Sequence, residues 1–429
     1  MKIHHIVRRL GWGVADQSVS SVGNVLVSLV CAHALGAHAF GAFSLAFVTY
    51  AVVLNASRGL STDPFVVRYS GCAHPVWRRA VVSATGTALV VGIVAGLGSV
   101  AVGLLLSAGF GSTSLGVAFI TLGVGLPGLM LQDSWRFAFF AAGRGQLALV
   151  LDLVWTVPAI AGLVGAVLTG RAGIASCMLI FGATATLSAL CGVLLARVRP
   201  MISQVPAWVR DHRHLGGRYL LENLAVGFSR QLRIIAVGAA AGLAAAGSLR
   251  GAEILMGPFL VVLMGIAQVA VPEASQVLAA APHRLGRFCL LLGGVQAFVA
   301  ALWGAAMIIV LPLGLGRLLL DDVWHGAYPL VLPSTLGVML GCLSSGATSG
   351  VRALGAAPRS LVAQLTASSL YVVGGGVGAF IGGAEGSAWG WAAAAALGTL
   401  VWWAQLRRAA SEHTAAIPTD PSNRPLAAV

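Results

Sequence analysis

The sequence predicts an all-α membrane protein of about twelve transmembrane helices, arranged as two six-helix lobes related by a parallel internal repeat. Three observations predict it. Of 429 residues, 58% are hydrophobic and only 9% are charged, and mean hydropathy is +0.90; a soluble domain carries about 25% charged residues. The apolar stretches match the roughly 20 residues that a helix needs to cross the hydrocarbon layer. Most of the 26 basic residues fall in alternate connections between those stretches, which is the asymmetry that orients spans in a membrane.

Hydropathy places the spans at 12–34, 40–60, 80–107, 114–141, 146–168 and 172–196 in the first half. The second half follows with 217–241, 245–271, 287–310, 326–350, 359–382 and 387–406. The Gly-rich connections 35–39 and 242–247 read as tight turns. The stretch 197–216, with Pro200, Pro206, Arg210 and Arg213, is the longest non-apolar segment. It divides the chain into an N-terminal lobe 1–196, a cytoplasmic linker 197–216 and a C-terminal lobe 217–408. The tail 409–429 is polar and Pro-rich and reads as disordered. The first apolar segment follows Arg8 and Arg9, contains Asp16, Gln17 and Asn24, and ends in no small-residue cleavage site, so it reads as a retained helix.

Charge orients the spans. Arg8, Arg9, Arg58, Arg68, Arg78, Arg79, Arg136 and Arg144 lie on one side of the first half, and Arg284, Arg287, Arg352, Arg359, Arg407 and Arg408 on the same side of the second. Arg171 and Arg317 lie opposite, with Asp321, Asp322 and Glu385. Both termini are expected in the cytoplasm of a bacterial plasma membrane. A net charge of +13 raises nucleic acid as a partner, but positives spread over short inter-helix loops are explained by orientation, so no nucleic acid is expected. The six cysteines contain no CxxC pair and read as small core residues; no disulfide, metal or cofactor is expected.

The repeat is visible in small motifs. Gly36, Ala39, Gly41 and Phe43 recur at one constant offset as Gly242, Ala245, Gly247 and Leu249. The same offset pairs Asp16 with Glu222 and Asn24 with Arg230. Six helices per half insert both halves the same way up, a design with its site at the repeat interface.

Enzyme motifs are lacking. A P-loop needs a lysine after its glycines, and the single lysine is Lys2. Gly123-Val-Gly125-Leu-Pro-Gly128 spells G-x-G-x-x-G inside an apolar helix with no strand before it, so close helix packing and a kink at Pro127 explain it. His212 and His214 form an HxH without a nearby third ligand and read as a surface loop.

The informative residues are ions at membrane depth, where charge is costly and marks a cavity or a pair. Arg230 and Arg233 lie roughly 13 to 16 residues into their helix, about 20 Å along it, and three apart they share a face. Arg58, at the inner end of the second span, and Arg250, early in the eighth, can face the same space. Arginine suits a planar, bidentate grip on phosphate oxygens. The sharper reading is a cationic chamber for an anionic headgroup; the plainer one makes Arg230 and Arg233 struts paired with Glu222, Glu253 or Asp152. Asp16 and Glu222, in the first turns of their helices, are candidate proton or sodium sites, and equally helix N-terminal charges. Asp133 and Arg136, three apart, are expected to pair.

The run Asp16-Gln17, Ser20-Ser21, Asn24, Gly36, Phe40-Gly41, Phe43, then Arg58, Pro64 and Arg68-Tyr69-Ser70, resembles the start of polysaccharide-exporting flippases. These belong to the multidrug/oligosaccharidyl-lipid/polysaccharide (MOP) exporter superfamily. Leu131-Gln132-Asp133, Arg136 and Gly143-Arg144 resemble the same group before helix five, as do Pro258 and Pro272-Glu273 later. The resemblance spans most of residues 10 to 360; the last two helices depart from it at Gly374-Gly375-Gly376 and an Ala-rich run. It implies a two-lobed fold open alternately to each side, moving polyprenyl-pyrophosphate-linked saccharides between leaflets, with Arg58, Arg230, Arg233 and Arg250 on the diphosphate. Membrane lipids, and glycosyltransferases or a polymerase of the same pathway, are the implied partners. A cation-coupled multidrug antiporter of the same superfamily is the alternative, against which arginine at depth argues. A membrane-embedded glycosyltransferase would need a sizeable outer loop with acids or histidine, and the outer loops are short, so no enzyme is expected.

Overall fold

The computed structural model describes residues 3–109, 113–316 and 324–415. Among them every regular element is helical. α1 (Ile3–Ser57) is followed by a π-helical turn, Arg58–Thr62, and the short α2 (Asp63–Tyr69). Then come α3 (His74–Gly109), α4 (Thr113–Ala141), α5 (Gly145–Leu168) and α6 (Ile174–Ala196). α7 (Val205–Ala280), α8 (Leu285–Val310), α9 (Val331–Ala353) and α10 (Ala357–Ala415) complete the chain. Nine helical stretches among the described residues are long and apolar enough to cross a membrane. The turns expected at 35–39 and 242–247 are not present as such: the backbone stays helical through both, inside α1 and α7, because glycine permits a turn without requiring one; the side chains of 36–38, 242–244, 246 and 247 lie outside the described residues.

Two compact units form. The first comprises residues 1–227 together with 260–273; the second comprises 228–259 and 274–429. In the first unit α4 is buried on nearly every side, as a helix apolar all round must be. Its glycines explain how. A Cβ on Gly123 would lie 2.5 Å from the Gly96 carbonyl oxygen, and one on Gly125 would lie 2.9 Å from Cα of Gly182. Gly123 thus seats α4 on α3, while Gly125 and Gly128 seat it on α6. Small residues allow such close approach in lipid, where no hydrophobic force drives helices together. Large aromatic side chains fill the space that remains: Trp135, Phe139 and Phe140 at one end, Phe43, Trp155 and Phe181 at the other.

The linker is more ordered than its polarity suggests. Arg197 ends α6 in the left-handed region at φ 52, and α7 starts at Val205. Trp208 Nε1 donates to the Leu60 carbonyl at 3.2 Å, and Asn223 donates to Asp63 Oδ2 at 2.9 Å. His212 is no surface-loop residue. It is 5% exposed and stacks on Trp208 with ring centroids 3.8 Å apart. Residue 214, two positions on, is exposed on another face of the same helix. Polar composition hid this because half of an amphipathic helix is polar by necessity.

In the second unit α10 carries both last spans. It breaks at Gly382 (φ −141, ψ 28) and Gly383 (φ 59, ψ −137), the second being a conformation that L side chains avoid. The two arms pack through Gly374 against Gly390 and Gly378 against Gly386, where an added Cβ would meet backbone. Of the glycines that depart from the family resemblance, Gly374 is therefore part of the contact surface of a helical hairpin, while Gly375 faces Arg233. The last helix runs on to Ala415, and residues 416–429 of the polar tail lie outside the described residues.

Candidate functional site

A buried charge cluster occupies the first unit. α4 supplies Gln132, Asp133 and Arg136, whose spacing of one and four residues turns them toward neighbouring helices. α1 supplies Asp16 and α5 supplies Asp152. Arg136 contacts Asp16 Oδ2 through Nη2 at 2.5 Å and Asp152 Oδ1 through Nε at 2.9 Å. Asp133 Oδ1 lies 3.6 Å from Arg136 Nη1. Its main partner is Arg58, whose Nε donates to Oδ2 at 2.9 Å and whose Nη2 donates to Oδ1 at 2.6 Å. Gln132 Nε2 donates to Asp152 Oδ1 at 2.8 Å. The pattern is a bidentate arginine pair joined to a second arginine that spans three carboxylates.

Burial and charge set the chemistry. The side chains of Asp16, Asp133, Arg136 and Asp152 are at most 5% exposed, and only Arg58 reaches 28%. Three carboxylates face two guanidiniums, so one negative charge is in excess. Asp16 Oδ1 and Asp152 Oδ2 are buried without a hydrogen-bond partner among the described residues. An uncompensated charge away from water is expensive and is relieved by taking up a proton or a cation. A small cavity lined by Ser20, Asn24, Trp155 and Thr156 lies one helical turn along α1 and α5 from Asp16 and Asp152.

The sequence-derived residues divide accordingly. Arg58 and Asp16 enter the cluster. Arg58 also lies over the Phe137 ring at 5.0 Å, and the π-helical turn that begins with it widens the backbone where Gly59 abuts α7 at Leu220. Glu222 is buried in α7 within the first unit. Arg233 belongs to the second unit and is 2% exposed. Its Nη1 donates to the Tyr371 hydroxyl at 3.0 Å and its guanidinium lies 4.7 Å from the Trp391 ring centroid. Gly375 leaves room for its methylenes, since a Cβ there would come within 3.1 Å of them. The side chains of Arg230 and Arg250 lie outside the described residues.

Asp152 is the residue the sequence did not single out as a site: one aspartate in an apolar helix carries no motif. Its available signal was Gln132 and Arg136 in the preceding helix, polar residues at one face of a span with no other use for them. The expected Asp133–Arg136 contact exists, but as the longest of the set.

Neither a family model nor a curated protein matches the chain. Solved structures do. A MATE in the straight conformation superposes with TM-score 0.79 at 14% identity, covering 96% of each chain. A MOP superfamily transporter from Pyrococcus furiosus, described for the reverse polarity of its binding pocket, gives 0.76 at 13% identity over 96% of each chain. An outward-facing multidrug resistance MATE family transporter gives 0.76 at 12% over the same shares. Helix order, burial and these superpositions agree: the chain has the fold of the MATE transporters and their MOP-superfamily relatives.

Proposed function

We propose that the protein is a multi-pass exporter of the plasma membrane that couples transport to proton movement through Asp16 and Asp152. One observation carries this reading: a sealed cluster with one carboxylate more than its guanidiniums can balance. With both aspartates ionised the cluster holds an uncompensated charge; with one proton bound, two carboxylates remain for two arginines. Binding and release of that proton therefore change what holds α1 to α4 and α5. Arginine at depth weighed against a cation-coupled antiporter in the sequence. That weight is reduced by Arg58 and Arg136, since both are matched by aspartates. The MATE-like fold supports the same side.

A second reading keeps Arg233. Its only polar partner among the described residues is a phenol, so its charge is available to an anion. This supports a flippase for polyprenyl-pyrophosphate-linked saccharides, with Arg58, Arg230, Arg233 and Arg250 as the phosphate-binding set, both termini cytoplasmic, and pathway glycosyltransferases or a polymerase nearby.

The test is transport in proteoliposomes under an imposed pH gradient, with ethidium as the cationic probe and a polyprenyl-pyrophosphate disaccharide as the anionic one. Gradient-driven ethidium export, lost in Asp16→Asn and in Asp152→Asn, is expected. Equal gradient dependence in the variants removes the coupling site. Movement of the saccharide lipid but not ethidium establishes the second reading.

A further inference from the structure

Residues 260–273 belong to the first unit, although the chain on both sides of them belongs to the second. Three contacts hold this part of α7 against α1. At the first, Gly13 and Gly265 bring the two backbones together: a Cβ on Gly265 would lie 2.6 Å from Cα of Val14 and from the Gly13 carbonyl oxygen. At the second, Gln268 Nε2 donates to Gln17 Oε1 at 2.5 Å, and Gln17 Nε2 donates in turn to Ser21 Oγ at 3.0 Å. At the third, Arg9 Nη1 meets Glu273 Oε1 at 2.7 Å, with the glutamate side chain 1% and the arginine 19% exposed. The guanidinium of Arg9 lies directly over Gly143, whose φ of +71 and missing Cβ make the space for it.

This is an unusual way to join helices for good. A permanent contact in lipid is made by apolar packing of small residues, and polar side chains there are a liability once separated from a partner. Glutamines and an ion pair behave differently. Joined, they satisfy each other only in part, since Gln268 Oε1 and Glu273 Oε2 are buried without a hydrogen-bond partner among the described residues; parted, they are satisfied by water. Double-mutant measurements on buried polar pairs in membrane proteins correspond to about threefold on average and about eighteenfold at most in an equilibrium constant, small enough to be reversed by a transport cycle. Arg8 and Arg9, at the start of α1, mark this end as the cytoplasmic one.

We propose that Arg9, Gln17, Gln268 and Glu273 form a releasable latch, closed in this structure, whose parting opens the cytoplasmic end of α1 to water. The proposal rests on the transporter reading, but its first test does not. Val14→Cys, on α1 against Gly265 and outside the latch, is labelled in inverted membrane vesicles with a membrane-impermeant maleimide, with the wild-type protein and its six cysteines as the baseline. Adding Glu273→Gln, which removes the buried charge and leaves Arg9 to solvent, raises the labelling rate about threefold or more. An unchanged rate overturns the latch whatever the protein carries. The second test joins Gln17→Cys to Gln268→Cys with a short bifunctional thiol reagent. Ethidium export, or saccharide-lipid movement, stops on treatment of the double variant, whereas treatment leaves each single variant at its own untreated rate. Transport at the unlinked rate overturns the proposal while leaving the transporter reading intact.

Discussion

Arg136 reaches three carboxylates from one position on α4, and that geometry gives it structural weight. Removing its charge leaves Asp16 and Asp152 buried without their guanidinium partner. Breaking a buried ion pair from one side costs about 3–5 kcal/mol, whereas replacing all partners together is far milder. Arg136→Met is thus expected to lower the unfolding midpoint in detergent sharply. The triple variant Arg136→Met, Asp16→Asn, Asp152→Asn recovers much of the loss. Thermal unfolding followed by tryptophan fluorescence checks both; equal midpoints for the single variant and the wild type would show that the cluster bears no structural load. Arg233 makes the contrasting case, since its charge rests against Tyr371 and Trp391 instead of acids.

At the scale of the element, the linker helix is the instructive one. The start of α7 docks through Trp208 and His212 onto Tyr69 and Leu60. Burial pushes the His212 imidazole below its ordinary range, with Arg68 adding to the effect; the Trp208 carbonyl and Asp211 act the other way. The unfolded or undocked state therefore binds more protons, and docking is strongest above about pH 6.5. It weakens as pH falls from there toward the lower value of the docked histidine. Protection factors at 205–216, taken relative to the intrinsic exchange rate at each pH, should be lower at pH 5.5 than at pH 7.5, and His212→Phe should remove the difference. pH-independent protection factors in the wild type would mean that the stacked ring does not govern docking.

For the molecule as a whole, the fold class was legible because lipid imposes so strong a rule: apolar residues in stretches the length of a bilayer, with charge sorted by side. Within the site, Asp16 and Arg58 were legible as charges at depth. Their partners were not. Which acid meets which base depends on helix rotation, and Gly123, Gly125 and Gly128 set that rotation for α4 by deciding where α3 and α6 approach. The same holds for Gly374, which read as part of a break in a family pattern and turns out to pack against Gly390. Spacing along a chain reports which residues share a helix face; it does not report what that face meets.

The placement of 205–227 and 260–273 in the first compact unit bears on how the chain tolerates being cut. Severed between Pro200 and Ile202, it yields two polypeptides, and the downstream one carries two helical segments that dock on upstream residues through Trp208, Asn223, Gln268 and Glu273. Co-expressed, the fragments should copurify through a tag on either, held by Trp208, Asn223 and the Arg9–Glu273 pair. The downstream piece made alone should be cleared by proteolysis. Recovery of a stable, soluble-in-detergent downstream fragment by itself would mean that those segments do not depend on the upstream helices for their folded state.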